Sequence, residues 1–257
     1  MATISKSQWD RYITLLRAVN QEAALEISKY LQMKLLGGGY DIKALTDEQR
    51  KELLDYAYAI VTKYGEASAA LSAEMYDAVA VLEGRYVAPA EMAELAKYGD
   101  VAKSINGTLK TSENIDEIAS AATRWVKMAG ADTTLHNAMR DGAQFAWVPY
   151  GETCAFCITL ASRGWQYASK NTLKKGHAEH IHSNCDCQYA IRYDSRTTVE
   201  GYDPDRYLSM YQHAEGKTPT DKINSMRRAA YAEDKETEGT DNEGLINVNC
   251  ASERVLF

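Results

Sequence analysis

The chain has 257 residues, of which 45% are hydrophobic and 25% are charged. This length and composition are ordinary for a globular protein with a sizeable core. The formal net charge of -7 and the pI near 5.4 argue against nucleic acid as a specific partner, because proteins that bind it present a basic patch. The sequence has no run of about 18 apolar residues, so we expect no membrane span. We also expect no secretion signal at the N-terminus.

The first 130 residues carry helical patterns. Ser5 and Gln8 have the spacing of a capping box, and so do Thr46 and Gln49. Each box precedes a stripe of mostly apolar residues at steps of three and four, which predicts a helix with one buried face. The first stripe is Trp9, Ile13, Leu16, Asn20, Ala23, Ile27 and Tyr30. The second is Leu53, Ala57, Ile60, Tyr64, Ala67, Leu71 and Met75.

Two features of the chain bear on contacts with other subunits. Asn20 interrupts the first stripe at a position that sets the register of coiled coils. We expect this helix to pack on its own domain, with self-association through the N-terminal helix as the alternative. The chain also has 17 tyrosines against 3 phenylalanines. Tyrosine suits half-buried faces of the kind found at subunit contacts, although a core rich in tyrosine is the alternative.

Glycine and proline predict where the helices end. We expect Gly65 to bend or split the second helix. Pro89 predicts a short helix that ends near Ala96, because proline is tolerated in a first helical turn. A further helix after Asn114 is predicted to end at Gly130, with another helix starting just beyond it.

Residues 144–149 and 188–193 have the composition of short strands. Downstream, Asp203 followed by Pro204 predicts the start of another helix. The acidic residues 233–243 predict a disordered segment. The predicted fold is therefore α+β and mostly α. It comprises a long helical body (1–130), a small zinc-pinned α/β knuckle module (131–195), and C-terminal helices with an acidic tail (196–257).

Four of the five cysteines and three of the five histidines lie between residues 152 and 187. Zinc takes four tetrahedral nitrogen or sulfur ligands, usually from two close pairs that the fold brings together. The pattern predicts a structural Zn²⁺ with five candidate ligands for four places: Cys154, Cys157, His182, Cys185 and Cys187. An iron–sulfur cluster, a disulfide pair and a redox C-x-x-C remain alternatives. We expect Cys250 to be an ordinary thiol.

Two catalytic interpretations start from neighbouring residues. His177 and Glu179 match the H-x-E of zinc deaminases, but that motif should precede the C-x-x-C rather than follow it. Glu179 and His180 are similar to the start of a zinc-supported HNH nuclease, although the later ligand group and a basic surface are missing. A closed four-ligand site also has no position for a reactive water. We therefore predict no catalytic residue and no enzymatic activity.

Several motifs together resemble tailed-phage minor capsid proteins of the Mu F-like type, and among these the VG15-type minor head proteins. The resemblance is carried by the C-x2-C, the LASRG that follows it, and the H-x2-C-x-C. It extends to Arg140-Asp141-Gly142, WVP at 147–149, residues 64–77, and GYDP at 201–204. It covers roughly residues 45–213.

The resemblance implies a head component that enters the particle in few copies, without a reaction of its own. Its expected partners are the portal protein, the major capsid protein or both. It is expected in the virion and, during assembly, in the host cytoplasm. The five candidate ligands are motif residues, and Arg163 and Gly164 belong to the turn after the first pair. Mu F-like folds have been likened to ADP-ribosyltransferases. A packaged transferase therefore joins the zinc-dependent nuclease and deaminase as an alternative function.

Overall fold

The computed structural model describes residues 2–151, 153–170 and 185–237, with side chains up to residue 230. Within these residues the chain forms seven α-helices: α1 (Lys6–Gly37), α2 (Asp47–Leu82), α3 (Tyr98–Leu109), α4 (Ile115–Asp141), α5 (Ala155–Ala161), α6 (Pro204–His213) and α7 (Pro219–Thr237). The strands in the same residues are β1 (Thr3–Ile4), β2 (Gln144–Val148), β3 (Gln166–Tyr167), β4 (Gln188–Arg192) and β5 (Thr198–Val199). The prediction of a mostly helical fold with small strands is confirmed. Among the described helices, none combines the length and the apolar character that crossing a bilayer demands.

Both predicted capping boxes form. The Ser5 N–H donates to Gln8 Oε1 at 3.2 Å, and the Gln8 N–H donates to Ser5 Oγ at 3.3 Å. The corresponding distances between Thr46 and Gln49 are 3.0 and 3.2 Å. The capping residues satisfy amides that have no partner within the helix. The stripe predicted for α1 is also confirmed, because all seven of its residues are buried.

The buried face of α2 departs from its predicted stripe after Ile60. The predicted positions beyond that point, Tyr64, Ala67, Leu71 and Met75, are only half-buried. The buried positions are instead Val61, Gly65, Ser68, Ala69, Ser72 and Tyr76. Small residues on this face allow the backbone of another helix to approach closely. Hydrophobicity alone therefore indicates the wrong face here.

The partner in that close approach is α4 at Gly130. A Cβ built on Gly130 would lie 2.7 Å from the Oγ atoms of both Ser68 and Ser72. Helix α4 continues through Gly130 to Asp141, so the prediction that it ends there is wrong. Helix α2 is likewise not split at Gly65, where a Cβ would lie 3.3 Å from Leu95 Cδ2. Both glycines serve packing rather than helix termination.

The short helix predicted from Pro89 to Ala96 does not form. This segment is irregular, and α3 begins only at Tyr98. The Ala90 N–H donates to Asp77 Oδ1 at 2.9 Å, and the Ala93 N–H donates to Thr133 Oγ1 at 3.1 Å. Side chains of α2 and α4 therefore occupy backbone donors of this segment, and these contacts override its local helical preference.

The chain divides into two compact units, each discontinuous in sequence. The helical unit comprises residues 14–77 and 89–136. Its core is a cluster of mainly aliphatic residues: Ala23, Ile27, Tyr30, Leu31, Ile42, Leu53, Leu54, Ala57, Ile60, Val61, Val101, Ile105, Ile118, Ala119, Ala122 and Val126. The cysteine unit comprises residues 1–13, 78–88 and 137–257. This grouping rests on packing alone, and the division into 1–130, 131–195 and 196–257 stays a prediction about domains.

In the cysteine unit β2 is the middle strand of an antiparallel sheet with order β3-β2-β4. The pairing of β2 with β4 confirms the two predicted strands, with Trp147 opposite Tyr189. The sequence did not reveal β1, β3 and β5, because two-residue strands are too short to show a period.

The Asp203 cap on α6 is confirmed. Helix α7 extends to Thr237. The prediction that residues 233–243 are disordered is therefore wrong for residues 233–237. Residues 238–243 lie outside the described part of the chain.

Candidate metal centre

The pairing of β2 with β4 brings the two cysteine pairs to one end of the sheet. Val148, the last residue of β2, lies opposite Gln188, the first residue of β4. Cys185 and Cys187 therefore come directly before β4, at the end of the sheet where the chain leaves β2. From there the chain turns into α5, whose N-cap residue is Cys154. Antiparallel register thus places segments about 30 residues apart in sequence side by side.

Three sulfurs form a compact cluster. The Sγ atoms of Cys157, Cys185 and Cys187 lie within 4.8 Å of one another, and those of Cys157 and Cys185 are 3.2 Å apart. A Zn–S bond of about 2.3 Å places tetrahedral sulfurs about 3.8 Å apart, so this spacing fits a shared metal ion. The 3.2 Å separation is far longer than the ~2.05 Å of a disulfide bond. The four cysteines of the described residues are free thiols.

Cys154 is adjacent to this cluster but is not one of its three members. As the N-cap of α5, its Sγ accepts a hydrogen bond from the Cys157 N–H at 3.5 Å. The C-x2-C spacing therefore places both thiols on the first turn of one helix. Cys154 is buried like the other three, which makes it a candidate for the fourth ligand.

Burial sets the protonation of the cluster. It raises the pKa of the Cys157 thiol well above its usual value, and hydrogen bonds with Cys154, Cys185 and Cys187 act in the same direction. Burial also raises the pKa of the Cys187 thiol, while a hydrogen bond from the Tyr150 backbone opposes the rise. Without a cation, thiolates in this environment are unfavourable. A divalent ion would supply the compensating positive charge and convert the thiols to ligands.

The surroundings of the cluster are apolar and closely packed. Every residue of α5 is buried, and the helix contacts α6, α7 and β2. Within the sheet, the ring of Tyr189 packs edge-on against those of Phe145 and Trp147, with centroid separations of 5.6 and 4.6 Å. The four described cysteines are themselves buried, each with 5% exposure or less.

The turn after α5 forms as predicted. Gly164 has a φ of 59°, in the left-handed region that favours glycine, and its N–H donates to the Ala161 carbonyl at 3.0 Å. The same carbonyl accepts a hydrogen bond from Tyr202 Oη at 3.1 Å. Tyr202 belongs to the GYDP motif, so this contact connects that motif to α5. The sequence did not predict this hydrogen bond between Tyr202 and Ala161. Arg163 is exposed, and its role in this turn or at a partner surface stays a prediction.

Comparison with known proteins identifies the family. A family model described as VG15 protein matches residues 3–214. The chain belongs to the VG15 family, which is associated with phages. The match includes all five candidate ligands, the whole helical unit, and the residues of the cysteine unit between 3 and 214. No curated protein and no solved structure matches the chain. The resemblance noted in the sequence is thereby confirmed at the level of the family.

For this VG15-family chain, the remaining predicted site residues fall outside the described structure. His182, the only non-sulfur candidate ligand, lies in the segment 171–184. So do His177, Glu179 and His180, on which the deaminase and nuclease interpretations depend. The structure thus brings together three of the five candidate ligands and places Cys154 beside them. The choice of four ligands stays a prediction.

Proposed function

We propose that this VG15-family protein is a minor capsid or head-morphogenesis protein of a tailed phage or prophage, and that its cysteine cluster holds a structural Zn²⁺. The observation that carries the metal proposal is the convergence of three buried sulfurs within 4.8 Å. Membership of a phage-associated family over residues 3–214 supports the assignment to the phage particle. The ion would connect the first turn of α5 to the residues that precede β4.

A structural role follows from the burial of the ligands. A catalytic zinc keeps one position for water or substrate, whereas a structural zinc is enclosed by four protein ligands. Here Cys157 and Cys187 are each only 1% exposed. Four sulfurs, or three sulfurs and an imidazole, form a donor set that zinc accepts in tetrahedral geometry. We therefore propose that the protein has no enzymatic activity.

The proposed partners are the portal protein and the major capsid protein. Exposed tyrosines are suited to such contacts, because a tyrosine ring supplies apolar area while its hydroxyl remains solvated. Tyr86, Tyr98 and Tyr167 are exposed. Tyr86 has no neighbour that shields it, since its side chain is as accessible as in an isolated residue.

The metal proposal is tested on the purified full-length chain. We expect elemental analysis to find about one zinc per chain, and the Cys157→Ser variant to lose it. The matched control is Cys250→Ser, which we expect to retain a full complement of zinc. Iron in place of zinc, or full occupancy in Cys157→Ser, would refute the structural-zinc proposal.

The head-assembly proposal is tested by complementation of a phage that lacks this gene. We expect wild-type protein to be recovered in purified heads, and Cys157→Ser to be depleted from them. The double variant Glu179→Ala, His180→Ala removes Glu179, on which both zinc-enzyme alternatives depend, together with the His180 of the nuclease alternative, and should assemble normally. If heads form and infect without incorporating the wild-type protein, the structural role is wrong. If the double variant assembles but loses infectivity, an enzymatic role is favoured.

A further inference from the structure

Helix α1 has a second, outward stripe on the side opposite its buried stripe. The outer face, as we call it, consists of Leu15, Ala18, Glu22, Leu25, Lys29, Met33 and Leu36, all of which are exposed. At 100° per residue these positions fall within an arc of about 80°. Leu15, Leu25, Met33 and Leu36 are 41%, 44%, 60% and 90% exposed. A surface helix ordinarily carries polar residues on this side, so the apolar positions require an explanation.

The two charged residues of the outer face indicate what would cover it. Among the described residues, neither Glu22 nor Lys29 has an oppositely charged group within 4.0 Å. A hydrogen bond from Lys63 is the main cause that lowers the pKa of Glu26, one turn before Lys29 on α1, and the charge of Lys29 acts in the same direction. Glu22 and Lys29 are seven residues apart, or about 10.5 Å along the helix axis, which is too far for them to pair with each other. A surface that complements the outer face in charge presents a cation opposite Glu22 and an anion opposite Lys29, at the same separation. The same helix, turned end to end, meets this requirement.

We propose that the outer face of α1 pairs antiparallel with the same face of a second copy of this chain. The twofold axis passes between Leu25 and Glu26. Glu22 then lies level with Lys29 of the partner subunit, and the symmetry repeats this pair. Leu15 lies level with Leu36 of the partner subunit, and Ala18 with Met33 of the partner subunit. The small Ala18 thus stands opposite the large Met33 of the partner subunit, and opposite charges face each other.

A parallel arrangement lacks this complementarity. With the helices in register and pointing the same way, Glu22 would face Glu22 of the partner subunit, and Lys29 would face Lys29 of the partner subunit. Like charges so placed are unfavourable. The charges therefore select direction and register, while burial of the apolar positions along about 32 Å of helix supplies the affinity. The buried stripe containing Asn20 is unsuited to this role, because it packs inside the chain.

The proposal is tested by sedimentation equilibrium of the full zinc-loaded chain over a concentration series. We expect a reversible dimer. Glu22→Lys places like charges opposite each other twice, and should raise the dimer dissociation constant on the order of tenfold. Adding Lys29→Glu restores opposite charges in the antiparallel arrangement and should recover wild-type affinity. Leu25→Glu, near the axis, should abolish the dimer. Met92→Glu, at an exposed position outside α1, should have no effect.

The alternatives give different results. A dimer that responds to Leu25→Glu but not to Glu22→Lys would indicate another register and overturn the antiparallel pairing. A wild-type protein that stays monomeric throughout would also overturn it. If Leu25→Glu then lowered the melting temperature of that monomer, the outer face would be covered by the chain's own residues. Circular dichroism of each variant verifies that the helices remain folded. None of these outcomes depends on the proposed role in phage heads.

Discussion

The two compact units differ in the length of their secondary-structure elements and in how those elements pack. In the helical unit, long stretches of α1, α2 and α4 share one continuous cluster of aliphatic side chains. In the cysteine unit the strands have two to five residues, and α5 has seven. Elements that short are marginal by themselves. The comparison indicates that apolar burial along long helices stabilises the helical unit. In the cysteine unit the elements are shorter, and a metal ion at the proposed site would add a connection between α5 and the residues before β4.

Metal removal should produce the largest difference between the units. We expect a strong chelator to lower the stability of the region around β2, α5 and β4 by at least about 3 kcal/mol, because structural zinc contributes folding free energy directly. Hydrogen exchange would show amides of β4 losing protection while those near Leu53 and Ile105 keep theirs. Equal loss of protection in both units would contradict this comparison.

Within the helical unit, the close approach of α2 and α4 predicts the next largest effect. Gly130→Ala places a methyl group 2.7 Å from two serine Oγ atoms and should destabilise the protein by about 1–3 kcal/mol. The matched control is Gly107→Ala in α3, where a Cβ would meet nothing within 4 Å. That change should stabilise the protein by up to about 1 kcal/mol. Urea denaturation measures both, and a Gly130→Ala variant as stable as wild type or more stable would show that Gly130 is not a packing glycine.

A pH-dependent effect is expected at Asp132 in α4. Burial raises the pKa of its carboxyl to about 6, whereas the unfolded chain has the ordinary value near 3.9. Between about pH 4 and pH 6 the folded state therefore binds more protons than the unfolded state, and stability falls as the pH rises through this window.

Asp132→Asn removes that cost of burying charge. We expect the variant to be more stable than wild type at pH 7 by about 1–2 kcal/mol, with the difference vanishing near pH 4. Glu66→Gln, which changes an exposed carboxylate on α2, serves as the control. Thermal melts across this pH range measure the difference in stability. A variant that is more stable than wild type by the same amount at every pH would show that the ionisation of Asp132 is not the cause.

The smallest effects are expected at the two capping boxes, and they are the most closely matched pair because one box lies in each unit. Ser5→Ala and Thr46→Ala should each cost about 0.5–1 kcal/mol, because each leaves an N-terminal helix amide without its acceptor. Hydrogen exchange should show fraying confined to the first turn of α1 or of α2. A different result would be loss of protection that extends through the cysteine unit after Ser5→Ala but stays within the first turn of α2 after Thr46→Ala. That result would show that the stability of the cysteine unit depends more strongly on its helix cap.

Features with local causes could be predicted from the sequence. The capping boxes, the buried stripe of α1, the strands β2 and β4, and the Asp203 cap all form where expected. Cysteine spacing also predicted a metal-ligand cluster, and three of its sulfurs converge. Predictions were wrong where a residue served a distant neighbour. Gly130 resembles a helix stop, but it lies inside α4 and allows Ser68 and Ser72 of α2 to approach closely. The Ala90 and Ala93 amides, predicted to lie in a short helix, donate instead to side chains of α2 and α4.

By itself the sequence determined the buried stripe of α1, the two capping boxes and the two groups of candidate ligands, because each depends on residues close together in the chain. The family was recognisable from several such local motifs taken together. Only the tertiary structure decided which face of α2 is buried, that α4 continues through Gly130, and that Cys157 approaches Cys185 and Cys187. These features arise from contacts between residues that are distant in sequence. The energy of such contacts exceeds local preferences of about 1 kcal/mol per residue, so no local pattern records them.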